Sequence, residues 1–358
     1  MHLTSSSSKP VAVWILTGIV MLLIQVALGG ITRLTGSGLS ITEWNIITGA
    51  LPPLNEQQWL TVFSKYKQTP QFQLLNIDFT LSDFKFIFFW EWLHRFWARL
   101  IGIVFITGFI YLVARKYLKK DMQKPLLILF LLGALQGAIG WIMVASGLTG
   151  DAVYVKPTRL ALHFVFALGL IAYAFWFFLQ LQIPHDQKTV NRGIRQFTLV
   201  MLCLLAIQLV FGALMAGHKA ATAAPTWPDI NGAIFPNDLF REKPALLNFI
   251  DNKITIHFVH RTLAYVLFIL TLAYTRTIHR LPVASPSVRK FRNMPMILVA
   301  GQVILGIFSL LASPGIIPGK WGAFEWLALL HQVIGMLLVL SFIALLFLFP
   351  VKTSPIKS

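Results

Sequence analysis

Four histidines, His94, His163, His260 and His331, sit inside long apolar runs, in alternate runs and near the same end of each. An ionisable side chain inside hydrocarbon is costly and by default points to function. The pairs are regularly spaced, with 166 residues from His94 to His260 and 168 from His163 to His331. A lone histidine in a helix is more often a packing residue, but four at matched depth are a pattern. Tetrahedral zinc would want cysteine or carboxylate ligands, or three histidines converging with water. Two imidazoles from facing helices instead suit the two axial positions of a flat macrocycle, haem, in the core of a bundle.

The neighbours of these histidines carry further chemistry. Arg95 and Arg261 directly follow two of them, and Arg159 precedes His163 by four. Guanidinium forks bind carboxylates, so these arginines are candidates for haem propionates, with interfacial snorkelling as the plainer alternative. Glu91 precedes His94 by three, which puts both on one helical face. The corresponding position before His260 is His257, a rival axial ligand or a supporting partner. A carboxylate beside one candidate haem and none beside the other predicts two different jobs. Chemistry would belong to the half with Glu91, and electron transfer or structure to the other.

The elements that must position these residues are helices in a membrane. Of 358 residues, 56% are hydrophobic and only 12% charged, with a mean hydropathy of +0.72. A soluble domain averages about 25% charged residues, so an ordinary soluble enzyme, a disordered protein and a disulfide scaffold are excluded. The single cysteine, Cys203, permits no internal disulfide. Eight runs are long enough to cross hydrocarbon: 11–30, 86–113, 125–146, 159–182, 195–216, 253–275, 294–312 and 326–349. The first is read as a spanning helix because no cleavage pattern follows it.

Charge sets the orientation. Arg115, Lys116, Lys119, Lys120 and Lys124 follow the second run, Lys188, Arg192 and Arg195 the fourth, and Arg276, Arg280, Arg289, Lys290 and Arg292 the sixth. Lys9, Lys352 and Lys357 lie on the same side, which predicts cytoplasmic termini and an inner-membrane protein. The net charge of +17 is therefore largely a topology signal and implies no nucleic-acid partner. His2, His185 and His279 fall in the tail or inner loops, and His218 begins an outer loop.

Two outer connections are long, 31–85 and 217–252. Their tryptophans and prolines suggest lids, and Asn55-Glu56-Gln57-Gln58 resembles a capped helix start. The runs also echo one another. Gln25-Val26-Ala27-Leu28-Gly29 matches Gln208-Leu209-Val210-Phe211-Gly212, and Gln136 with Gly137 matches Gln302 with Gly306. The expected fold is an all-α polytopic membrane protein, with eight transmembrane helices in two parallel-topology four-helix repeats, residues 1–190 and 191–358.

Several stretches resemble the haem A synthase family, in the branch shared by Gram-negative bacteria and mitochondria. They are Thr35–Trp44, Gly49–Glu56, Trp90-Glu91-Trp92-Leu93-His94-Arg95, Thr226–Gly232, Val259-His260-Arg261 and Leu330-His331-Gln332. The resemblance spans about residues 10 to 350. It implies oxidation of a methyl group of haem O to the formyl group of haem A, in cofactor biosynthesis for cytochrome oxidase. By matching motif, His94 and His163 would flank the iron of substrate haem O, and His260 and His331 would ligate the iron of a haem b cofactor. Arg95 and Arg261 would assist cofactor binding, and Glu91, with His94 and His163, would be catalytic. Implied partners are haem O, the farnesyl transferase that makes it, an electron acceptor left unnamed by the sequence, and membrane lipid. Another branch carries a cysteine pair in the first outer loop; this chain has none there, so no thiol step of that loop can operate.

Three rivals are weighed. A bis-histidine b-type cytochrome would bind two haems and transform neither. A transporter would place its polar groups at midplane, whereas here they gather toward the outer face. The farnesyl transferase would need paired aspartates on the cytoplasmic side, where Asp121 and Asp186 stand alone.

Overall fold

The computed structural model describes residues 9–44, 48–282 and 285–351. His2, Lys352 and Lys357 lie outside the described residues, as does the extreme N-terminal tract. Among the described residues there is no strand, and eight helices are long and apolar enough to cross a membrane.

The first spanning helix, α1, is Lys9–Leu34. Two short helices follow in the first outer connection, α2 (Glu56–Tyr66) and α3 (Pro70–Leu75). The other spanning helices are α4 (Leu81–Ala114), α5 (Lys120–Ala145), α6 (Pro157–Gln182), α7 (Arg192–Gly217) and α8 (Lys253–His279). A short α9 (Pro286–Phe291) leads into α10 (Met294–Ala312), and α11 is Ala323–Leu348.

Several of these helices begin ahead of their apolar runs, and at α4 and α7 polar caps add residues that hydropathy does not register. Thr80 and Asp83 form a reciprocal capping box that starts α4 five residues before the apolar run. The Asn55 side chain accepts from Gln58 N at 2.9 Å, so the expected capped start of α2 is present. Asn191 and Asn252 cap α7 and α8 in the same way.

In the first part of the chain α1 packs on α4 and α6, and α5 packs on α6. In the second part α7 packs on α8 and α11, α10 packs on α11, and α8 also packs on α10. The two parts meet where α6 touches α7 and α11, and where α1 touches α11. Away from the long outer connections the core is built of buried apolar side chains. Val11, Ile15, Leu112, Met122, Leu126 and Phe177 fill one side, and Met201, Tyr274, Val299, Phe342 and Leu345 fill the other. Leu168, Ile171 and Met336 seal the seam. Burying such side chains contributes about 1.5–3 kcal/mol each in folding a soluble chain; within a bilayer, close packing takes over much of that role.

The first outer connection is itself packed. Phe63, Tyr66 and Phe72 of α2 and α3 close on Phe84 and Phe88 of α4, with Tyr66 and Phe84 stacked at 5.2 Å between centroids. The Tyr66 hydroxyl donates to Gln71 Oε1 at 3.0 Å and accepts from Asn76 Nδ2 at 2.7 Å. Burial pushes this phenol up to about 12, so it keeps its proton across the physiological range. Tyr66→Phe would leave Gln71 and Asn76 short of a partner, at a cost of about 1–3 kcal/mol. The expected result is faster hydrogen exchange in α2 and α3 with unchanged exchange in α7 and α8. Unchanged protection of α2 would show that the hydroxyl does not hold this layer.

Candidate functional site

Each of the four histidines rests on a glycine of the spanning helix before it. Built onto the backbone, a methyl group at Gly29 would stand 3.1 Å from His94 Cε1. At Gly140 it would stand 2.9 Å from His163 Cε1, at Gly212 3.2 Å from His260 Cε1, and at Gly306 3.1 Å from His331 Cε1. One turn before each glycine is a glutamine. Gln25 Nε2 lies 3.2 Å from both His94 ring nitrogens and donates to His94 O at 3.1 Å. Gln136 Nε2 treats His163 alike, at 3.2 Å from Nδ1 and 3.1 Å from the carbonyl. Gln208 Nε2 lies 3.4 Å from His260 Nε2. Gln302 completes the set beside Gly335, one turn after His331.

The motif Gln-x-x-x-Gly therefore stands on α1, α5, α7 and α10, and a histidine on α4, α6, α8 and α11. Sequence comparison alone matched Gln136 to Gly137. The structure shows Gly140 in that role, while Gly137 meets nothing within 4 Å. The identical four-residue spacing in all four helices was the available signal.

His260 and His331 face each other with centroids 6.4 Å apart. A metal–imidazole bond is about 2 Å, so two rings bonded to one iron need centroids about 6 Å apart, and this pair fits. Nδ1 of both rings is buried without a hydrogen-bond partner, as are the side-chain oxygens of Gln25, Gln136, Gln208 and Gln302. These orphaned polar atoms, gathered around the imidazoles, fit a polar or metal-bearing guest. His94 and His163 lie close enough for their charges to interact. Among the described residues no three His, Cys, Asp or Glu side chains converge as a closed zinc site requires.

Glu91 is buried, one turn from His94, and its contacts join Arg95 of its own helix to the first outer connection. Its Oε1 takes a 2.6 Å ion pair from Arg95, and its Oε2 accepts from Ser40 Oγ at 2.7 Å and Ile41 N at 2.9 Å. Arg95 also donates to the carbonyls of Ile41 and Glu43, and lies over the Trp44 ring. Arg261 does the parallel work, donating to the carbonyls of Asp229 at 2.7 Å and Ala224 at 2.8 Å. Both arginines thus hold an outer connection down; Arg261 Nε remains without a partner. Arg159 donates to Ile142 O. His257 is buried at the position corresponding to Glu91.

The loop under Arg261 is organised by Asp229, which accepts from Gly232 N and the Thr226 hydroxyl. These hydrogen bonds, the Gly232 amide foremost, hold the carboxyl below its ordinary value. The carboxyl's contribution to loop order is therefore present above the ordinary aspartate value of about 4 and is lost as pH falls through the lowered one.

Eight apolar helices, four of them carrying an imidazole toward the same end of the bundle, define a multi-pass membrane protein. The COX15-CtaA family model, described as cytochrome oxidase assembly protein, matches residues 12–343. The heme A synthase of Flavobacterium psychrophilum is 39% identical over 339 residues, covering 93% of this chain and 96% of that protein. That of Flavobacterium johnsoniae is 38% identical with 93% and 95% coverage, and that of Rhodospirillum centenum 44% identical with 75% and 72%. The chain belongs to the COX15-CtaA family.

The two arginines differ in what they leave behind. Arg95→Ala strands a buried carboxylate, with an expected loss of about 3–5 kcal/mol. Arg261→Ala frees only neutral carbonyls, an expected loss of about 1–3 kcal/mol. Thermal unfolding of the purified variants, with Glu91→Gln/Arg95→Ala recovering part of the loss, checks this; equal losses would contradict the ion-pair account.

Proposed function

We propose that this protein is a haem A synthase, oxidising a methyl group of haem O to a formyl group through a hydroxymethyl intermediate. The family membership carries this reading, and two imidazole pairs at one level support it. The Glu91 and His257 difference favours it over a b-type cytochrome, whose two sites would need no such asymmetry.

On this reading the chain is a duplicated four-helix unit, 1–190 and 191–358. Support comes from matched packing: α1–α4 with α7–α8, α1–α6 with α7–α11, and α5–α6 with α10–α11. On the same reading both termini lie in the cytoplasm and the protein in the inner membrane of a bacterium, which the bias of basic residues toward one side supports. The farnesyl transferase that makes haem O is a proposed neighbour, because its product is this chain's substrate.

His94 and His163 would hold haem O by its iron in the first half. His260 and His331 would hold haem b in the second, where it would supply one-electron transfer. Converting methyl to aldehyde takes two successive two-electron oxidations, and the hydrated aldehyde then loses water. Glu91 would place fixed negative charge near the oxidised carbon, stabilising positive charge that develops there, and would take up a released proton. Its contacts with Ser40, Ile41 and Arg95 would also keep residues 37–44 over His94, limiting water. Arg95 and Arg261 would close the outer side of each pocket.

Two experiments test this. His260→Ala and His331→Ala should each remove low-spin haem b from the purified protein; loss with His257→Ala but not His260→Ala would reassign the ligand. Glu91→Gln should lower haem A by roughly 10²-fold with haem O or its alcohol accumulating and haem b unchanged. Haem A at the normal rate would leave Glu91 as a loop anchor alone.

A further inference from the structure

One packing contact of the second half is much reduced in the first. Helix α8 packs closely on α10, whereas α4 and α5 lack a comparable run of close backbone contacts and pack at their inner ends, where Leu112, Met122 and Leu126 share one cluster. They are joined by a short inner connection and meet at Phe105 and Phe130, whose rings stack at 6.3 Å. At the top they frame a cavity of about 200 Å³ lined by Thr42, Trp44, Arg95, Trp141, Val144 and Leu148. Only 6% of the apolar stretch of each of these two helices is buried, against 22% for α8.

Between those two fixed points, helical periodicity sets Ala98 and Gly102 of α4 opposite Gly137 and Gly133 of α5. All four are exposed, and a methyl group at any of the three glycines would meet nothing within 4 Å. Glycine weakens a helix interior, and membrane helices usually keep it where backbones approach closely. Here no approach occurs. At the 166-residue offset the second half has Phe268, Val299 and Val303, and Val299 is buried in the core cluster against which Phe268 packs. Side chains thus close the seam in one half, and their absence leaves a slot in the other. Gln136 and Gly140, which hold His163, are on the same helix as Gly133 and Gly137, so the slot adjoins the first imidazole pair.

We propose that the gap between α4 and α5 is a lateral portal, through which a water-insoluble, isoprenoid-bearing haem passes between the bilayer and the His94–His163 site. This inference rests on the assignment of haem O to that site. The slot is lined along its length by glycine and alanine, carries Thr42 and Arg95 at its top, and ends below at the Phe105–Phe130 pair. The occupant is accordingly a flat apolar ring with a chain that remains in hydrocarbon. The closed α8–α10 seam retains its haem, while the open seam exchanges it.

The test uses the full-length protein with haem b in place and haem O supplied in phosphatidylcholine vesicles. Uptake is followed by the change in the Soret spectrum, in the Cys203→Ser background. Gly137→Cys is alkylated after purification with a bulky apolar maleimide, so that blocking does not depend on refolding. Uptake of haem O should slow about tenfold or more, with the haem b spectrum unchanged. Haem O bound beforehand should protect the new thiol from alkylation. Gly102→Phe with Gly137→Val, which copies the second half, should slow uptake in the same way. Unchanged uptake after complete alkylation would overturn the portal while leaving the assigned reaction intact. Failure of the unmodified protein to take up haem O would overturn the assignment beneath it.

Discussion

The arrangement depends on one contact made four times: an imidazole edge laid against a helix backbone where only a hydrogen atom fits. A methyl group at Gly140 would stand 2.9 Å from His Cε1 and force a shift, and at Gly29, Gly212 or Gly306 it would stand at 3.1–3.2 Å, where the ring would have to give by a few tenths of an ångström. Glycine lets each pair of sequential helices close enough for the ring to rest on its neighbour. The glutamine one turn away gives the ring and its backbone carbonyl a donor in a region without water. With the rings held by neighbouring helices, their other faces are free to meet across the bundle, as His260 and His331 do.

Everything above that level serves to close it. The Glu91–Arg95 ion pair and the Arg261 fork each grip backbone carbonyls of an outer connection, so two loops of unrelated sequence are held by arginines at equivalent positions. The halves then differ in what they enclose. Three residues before His94 the first carries a buried carboxylate, three before His260 the second carries a buried histidine, and only the second has a seam packed with Phe268 and Val299. A resident cofactor and an exchanging substrate have opposite needs, and these differences match them.

Most of this was legible in the sequence, and the parts that were not have a common reason. Long apolar runs and charge asymmetry reveal spans because lipid demands both. The four histidines stood out because hydrocarbon makes them costly. Gly140 was missed because Gly137 lies directly after Gln136, and only the helical turn of four residues brings Gly140 beneath the ring. Arg95 and Arg261 read as propionate forks, and the loop carbonyls they also hold were hidden, since a sequence shows a guanidinium but not the distant backbone that folds back onto it. The extra turn of α4 escaped a hydropathy reading because Thr80 and Asp83 are polar. The α4–α5 gap is a packing absence, and a stripe of glycine and alanine reads equally well as tight helix contact.

The central claim is that one imidazole pair holds a permanent haem b and the other a haem being transformed. Native mass spectrometry of the protein purified from cells supplied with haem O tests it most directly. The account predicts one haem b per chain, together with haem O, its alcohol or haem A, and loss of only the second group when His94 is replaced by alanine. Two haem b molecules per chain and no haem O-derived species would contradict it.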